Sequence, residues 1–375
     1  MSGRDTYLDW NATTPLRPEA AAAMAESLAL CGNPSSVHRW GREARRRVED
    51  ARAAVAALAG APADAVVFTS GGTEANHLAL LGSGRGRVLV SAVEHSSVLQ
   101  AAPAAERIPV DGDGIVDLAA LAALLGDGKR PAIVSVMLAN NETGVIQPVR
   151  EVADIVHASG GLFHCDAVQA AGKMPLSLAE IGADFLTLSA HKIGGPTGIG
   201  ALVLGGGAAA APLLHGGGQE RNRRAGTENL TGIAGFAAAA KACDTGEYDR
   251  VRALRDRLEA ALAPDAVIVG AGVPRLPNTS AVAMPGVSAE TQIIALDLDG
   301  VMVSAGAACS SGKVGPSHVL AAMAVAPGIA GATIRVSLGW STSEAEIAHF
   351  IDAWTALRRH TLGRRTPLAA TPVAA

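Results

Sequence analysis

Lysine is scarce in this chain, limited to Lys129, Lys173, Lys192, Lys241 and Lys313, and one of the five stands where an amine could react. Lys192 closes the run Asp184-Phe-Leu-Thr-Leu-Ser-Ala-His-Lys192, behind Ser189 and His191 and ahead of Gly194-Gly-Pro196. A strand of that composition delivers its last residues to a sheet edge. There, partial loss of water and nearby cations lower an amine's basicity and suit it to imine formation. The bland alternative is a solvated strand-end lysine. Leu162-Phe-His-Cys-Asp-Ala-Val-Gln169 is a second such run, ending in Asp166 with Gln169 three residues on. If a helix starts there, the two side chains share a face. Asp166 could then hold the protonated nitrogen of a pyridine cofactor, the partner such an electron sink requires, or it could serve only as a helix cap.

Val67-Phe-Thr-Ser-Gly-Gly-Thr-Glu-Ala-Asn76 passes from a strand through two glycines into a helix. The unsatisfied amides of Gly72 and Thr73 would favour a phosphate, although a plain strand-to-helix turn uses the same residues. Met302-Val-Ser-Ala-Gly-Ala-Ala-Cys-Ser-Ser-Gly312 sets one thiol, Cys309, among small residues. Most lone cysteines are packing residues, but this neighbourhood offers little core, so the expectation is an exposed thiol on a mobile loop that can act as a nucleophile. His95, in Val93-Glu-His-Ser-Ser97, could stack on a ring, and Arg335, between Ile334 and Val336, could clamp a carboxylate.

The elements that would position these groups follow from periodicity. Apolar, β-branched runs predict strands over Ala65–Thr69, Arg87–Ser91, Ala132–Met137, Leu162–Cys165, Asp184–Ser189 and Gly200–Leu204. Helical patterns over Arg39–Ala59, Thr73–Leu81, Asp117–Leu125, Val149–Ser159 and Leu230–Lys241 alternate with them. Such alternation implies an α/β fold with a mainly parallel sheet between helices. After residue 247 the pattern changes to a long helix Tyr248–Leu262, strands Thr279–Ala283 and Thr333–Leu338, and a final helix Ser343–Arg359. The expected organisation is a large domain over 15–247 and a smaller α+β domain built from 1–14 and 248–375.

Composition narrows the function classes. Hydrophobic residues make up 49% and charged residues 18% of the 375, which describes a packed globular chain rather than a disordered one. The net charge of -4 and the lack of a long Lys/Arg run argue against nucleic acid as a primary ligand. Cys31, Cys165, Cys243 and Cys309 lie far apart with no CxxC pair, which fits a reducing compartment. The polar Met1–Asp9 lacks the apolar core of a signal peptide, and no unbroken apolar run reaches the length of a membrane span. A cytoplasmic protein without membrane contact is expected.

Taken together, the ordered motifs resemble the cysteine desulfurases of the class V, fold-type I pyridoxal-phosphate enzymes, in their IscS/NifS-like branch. The resemblance runs through Tyr7-Leu-Asp…Ala12-Thr-Thr-Pro15, Asn33-Pro-Ser-Ser-Val-His38, Thr69-Ser-Gly-Gly-Thr-Glu-Ala-Asn76, Glu94-His95, Asn140-Asn-Glu-Thr-Gly144, Asp166-Ala-Val-Gln169, Ser189-Ala-His-Lys192, Gly216-Gly-Gly-Gln-Glu220, Arg224-Ala-Gly-Thr227 and Ala308-Cys-Ser310. It implies a seven-stranded sheet in the large domain and pyridoxal phosphate held as an imine by Lys192, which later moves the substrate Cα proton. It further implies that Asp166 pairs with the ring nitrogen, Gln169 bonds the ring hydroxyl and His95 stacks on the ring. Gly72, Thr73, Ser189 and His191 would hold the phosphate, Asn141 would sit beside the cofactor and substrate, and Arg335 would bind the substrate carboxylate. Thr227 would reach the phosphate of a neighbouring subunit, so a homodimer is expected.

The implied reaction turns L-cysteine into L-alanine, with the sulfur carried as a persulfide on Cys309 and passed to an acceptor protein, an iron–sulfur scaffold or a sulfur carrier. No metal site is implied, although Cys309 could transiently ligate an iron–sulfur cluster. Trp10-Asn11 departs from the family's usual Asn-Ala, close to where the N-terminal segment approaches the substrate. The rival readings are a selenocysteine lyase or cysteine/cystine C–S lyase of the same fold, and a weakly active sulfur-transfer partner that binds the cofactor for stability.

Overall fold

The computed structural model describes residues 5–306 and 317–363. Seven strands form one sheet in the order Val66–Thr69, Gly200–Leu204, Phe185–Ser189, Leu162–Asp166, Ile133–Ser135, Val88–Ser91 and Glu106–Ile108. Only Gly200–Leu204 runs against its neighbours, and the rest are parallel. Helices cover both faces, which is why the central strands are buried along almost their whole length instead of alternating between buried and exposed positions. Leu186, Leu188, Val134 and Phe163 are buried on one side of that sheet, and Phe185, Val90 and Ile133 on the other.

The helix Arg39–Leu58 shows how the covering works. Ala44, Val48, Ala51 and Val55 recur at spacings of four, three and four and are buried, while Arg45 and Arg46 between them face water. His38 starts the helix by accepting the Gly41 amide at 3.3 Å. The expected elements recur with ends moved by one to four residues, and Gly200–Leu204 and Thr279–Ala283 coincide with expectation. The helix after the glycine pair begins at Gly72. No helix begins after Asp166. The chain there makes successive turns through residues 168–174, so the helical face proposed for Asp166 and Gln169 does not exist.

A second sheet of four antiparallel strands has the order Ser304–Ala305, Thr333–Ser337, Thr279–Ala283 and Val267–Val269. Its core gathers Val251, Leu258, Leu296, Ile334, Val336, Phe350 and Trp354. The N-terminal strand Thr6–Tyr7 joins this part of the molecule by pairing in parallel with Val301–Met302, and Asp9 bridges to Ser337. Residues 8–14 then cross to the C-terminal edge of the large sheet, where Thr14 donates its amide to the His191 carbonyl at 3.0 Å. Among the described residues, no helix is long and apolar enough to cross a membrane.

Candidate active site

Parallel strands end on one edge, and ligands of open α/β sheets bind just beyond it. Thr69, Asp166 and Ser189 close three of these strands. The glycine turn is pressed against this edge: a Cβ on Gly72 would lie 3.1 Å from Val168 Cγ2 and 3.6 Å from Ser189 Cβ. A side chain at the start of the 11-residue helix Gly72–Gly82 would crowd Val168, and the helix's free amides point a partial positive charge into that space.

Asp166 is buried and doubly tethered. One oxygen accepts from Asn76 Nδ2 at 2.8 Å and the other from the Val168 amide at 3.0 Å. Behind it runs a buried polar chain. Glu94 accepts the Met137 amide at 2.6 Å and the Ser135 hydroxyl at 3.3 Å, and His164 bridges the Ser135 and Thr187 hydroxyls at 2.8 and 3.0 Å. Burial, with Asp166 nearby, pushes the Glu94 carboxyl up to about 8, and burial lowers His164 to about 4. Both are therefore mainly neutral at pH 7.

Lys192 ends the tight turn Ala190–Lys192 that follows strand Phe185–Ser189. Its amine donates to the carbonyls of Asn11 at 2.5 Å and Ala12 at 2.7 Å. Burial first and then Arg335 draw it down to about 8, against the opposing pull of Asp9 and Asp166. His191 meets Thr13 Oγ1 at 3.2 Å and is lowered to about 4 by burial, Lys192 and Lys173. His95 caps helix Ser96–Ala101, its Nδ1 facing the Ser97 amide and hydroxyl. Its enclosure, more than the neighbouring charges, lowers its basicity.

Gln169 reaches the site without a helix. Its Nε2 donates to the Asn11 carbonyl at 2.9 Å, and its Oε1 accepts from Lys173 at 2.8 Å. Arg335 lies on an inner strand, not at a wet edge, between Ala281 and Ser304. Its Nη2 pairs with Asp9 at 2.8 Å, and its Nη1 donates to the Asn141 carbonyl at 3.2 Å. Its Nε is buried with no hydrogen-bond partner. Thr227 lines a cavity of about 130 Å³ with Thr69, Ser70, Arg224 and Glu220. Cys309 lies outside the described residues.

This architecture has known counterparts. The sequence pattern of the aminotransferase class-V family matches residues 6–350. The chain belongs to the class-V aminotransferase family. A cysteine desulfurase from Cereibacter sphaeroides is 46% identical over 364 residues, 92% of this chain and 94% of that one. The cysteine desulfurase IscS of Dictyoglomus turgidum is 41% identical, with 93% of each chain covered. The X-ray structure of a NifS-like protein from Rickettsia africae superposes with a TM-score of 0.87 at 35% identity, covering 96% of this chain and 99% of that one.

Pyridoxal phosphate is the cofactor of the class-V desulfurases, and the residues on this edge fit it. A lysine amine of lowered basicity, a buried carboxylate at a neighbouring strand end and a glycine-cleared helix start match an aldehyde, a ring nitrogen and a phosphate. Three further residues of this family member enter the site unpredicted. Lys173 is buried against Gln169 and Asn11, and burial, Lys192 and Arg335 hold its amine well below the ordinary lysine range. It follows Gln169 by four positions and is one of five lysines, which was the available signal. Asp9 showed only as part of the Tyr7-Leu-Asp motif and Asn11 only as a departure beside Trp10, because their partners lie more than 100 residues away. Cys165 is fully buried with its thiol pushed up by burial.

Proposed function

We propose that this chain is a cysteine desulfurase, converting L-cysteine to L-alanine and passing the sulfur through Cys309 to an acceptor. The observation that carries the reading is the placing of an amine held at about 8, Lys192, and buried Asp166 on one edge of the large sheet, with buried Arg335 brought up from the four-stranded sheet. When bound, pyridoxal phosphate supplies an electron sink for the electrons released at the substrate Cα.

In this reading Lys192 would hold the cofactor and, with its amine free, would take the substrate Cα proton, for which an amine near 8 is well matched at neutral pH. Asp166 faces the ring nitrogen and keeps it protonated, Gln169 bonds the ring hydroxyl, and neutral His95 stacks on the ring. Gly72, Thr73, Ser189 and His191 hold the phosphate, with Thr227 of a second subunit completing it in a homodimer. Arg335 binds the substrate carboxylate, and its unpartnered Nε is a donor that a carboxylate would satisfy. Asn141 lies alongside. The Cys309 thiolate forms an S–S bond to the substrate sulfur as the Cβ–S bond breaks. That electron pair stays with carbon, which takes up a proton and leaves as alanine. The large domain spans 15–247 and the small one 1–14 with 248–375. The acceptor is an iron–sulfur scaffold or sulfur-carrier protein in the cytoplasm.

The test is to incubate purified protein, loaded with pyridoxal phosphate, with L-cysteine and measure alanine. Alanine in step with sulfane sulfur supports the reading. Pyruvate and ammonia instead of alanine would replace it with a C–S lyase.

A further inference from the structure

Asn11 is 1% exposed, and each of its hydrogen-bonding groups is engaged. The side-chain nitrogen donates to the Asn141 carbonyl at 3.1 Å and to Thr279 Oγ1 at 2.9 Å. Its Oδ1 accepts from Asn278 Nδ2 at 3.0 Å and from Lys173 Nζ at 3.3 Å. The peptide N–H donates to Ser337 Oγ at 2.9 Å, and the peptide carbonyl accepts from both Gln169 and Lys192. The amide cannot be flipped, because a backbone carbonyl such as that of Asn141 only accepts.

These partners divide between the two sheets. Gln169, Lys173 and Lys192 stand at the edge of the seven-stranded sheet. Thr279 and Ser337 end strands of the four-stranded sheet, where Asn278 adjoins them. The Asn141 carbonyl that takes one Asn11 proton also accepts from Arg335. One side chain and its peptide thus tie the lysine that meets the cofactor to the arginine on the other sheet.

We propose that Asn11 is a positioning residue that sets the spacing between the Lys192 amine and the Arg335 guanidinium, and with it the register in which an amino acid held by its carboxylate meets the cofactor. The substrate in this statement rests on the desulfurase reading, whereas the spacing does not. Alanine at position 11 would strip four side-chain bonds and leave the buried Lys173 with Gln169 alone. Aspartate keeps the shape and places a negative charge against Lys173 and one peptide away from Lys192. The charged or titratable groups already facing Lys192 are Arg335, Lys173, His95 and His191 on the positive side and Asp9 and Asp166 on the negative.

Both variants are prepared as holoenzyme. In Asn11→Ala, kcat/KM for L-cysteine should fall about tenfold or more, the equivalent of one buried hydrogen bond, with cofactor still bound. In Asn11→Asp, the visible absorbance of the Lys192-bound cofactor, titrated with pH, should move its midpoint up by about one unit. The proposal is overturned if Asn11→Ala changes only the unfolding temperature and leaves kcat/KM within about twofold. An unmoved midpoint in Asn11→Asp overturns it as well, and that isosteric variant serves if the alanine variant does not fold. An unsubstituted protein with a pH-dependent cofactor band that makes no alanine would sink the desulfurase reading alone. The midpoint shift would then decide the Asn11 proposal.

Discussion

Replacing the reactive lysine should stabilise the cofactor-free protein at neutral pH. Burial and Arg335 hold the Lys192 amine at about 8 rather than 10.5. At 1.36 kcal/mol per pH unit the gap between 8 and 10.5 corresponds to about 3 kcal/mol for keeping this amine charged in the folded state. The folded value is the lower one, so between pH 8 and 10.5 the unfolded chain binds the extra proton and stability rises with pH. The full penalty is present below pH 8 and is gone above 10.5. Lys192→Met removes it but also removes two hydrogen bonds to the Asn11 and Ala12 carbonyls, worth about 1 kcal/mol each. The net gain at pH 7 is about 1–2 kcal/mol, shrinking toward pH 10.5 and reversing there. Urea unfolding midpoints of both proteins, stripped of cofactor, at pH 7 and pH 10.5 read this directly. A variant less stable than the parent at pH 7, or a difference that ignores pH, would refute the reasoning.

Asp166→Asn should keep the fold and cofactor yet lose on the order of 10²-fold in kcat, because a neutral amide does not hold the ring nitrogen's proton; near-normal turnover removes Asp166 from the mechanism. Glu220 accepts from Arg52 at 2.7 and 2.9 Å and from the Phe68 amide at 2.9 Å, and both charged side chains are buried. Glu220→Gln should therefore lower stability by about 3 kcal/mol, and an unchanged urea midpoint would contradict that. Mixing Lys192→Ala with Thr227→Ala subunits should recover activity over either parent, since one site of each heterodimer escapes both lesions. A fully active monomer would exclude the shared site.

Much of this was legible in the sequence, for physical reasons that also explain the gaps. Gly200–Leu204 is a continuous apolar run and Thr279–Ala283 a run of small and β-branched residues, both buried throughout, so each could be read residue by residue. Glu106–Ile108 was not assigned, because an edge strand of three residues, two of them charged, has no such run. Strands Val301–Met302 and Ser304–Ala305 are too short for any period to show. Asp166 and Ser189 were legible because each closes a strand, and Lys192 because it stands three residues past one. Gln169 was placed at the site for the wrong local reason: it is aimed by the Asn11 carbonyl and Lys173 rather than by a helix. Asp9 was passed over and Asn11 marked only as a departure, since their work consists of contacts made across the whole chain.

The most direct test of the central claim is mass spectrometry of Cys309 after a brief exposure of the holoenzyme to L-cysteine, with alanine assayed in the same samples. The unsubstituted protein should carry one added sulfur on Cys309 and release alanine. Cys309→Ser should keep the cofactor and its spectral response to cysteine but form no alanine, because a hydroxyl is a far poorer nucleophile toward sulfur. Alanine from Cys309→Ser at the unsubstituted rate, with no sulfur found on Cys309 of the parent, would contradict the account.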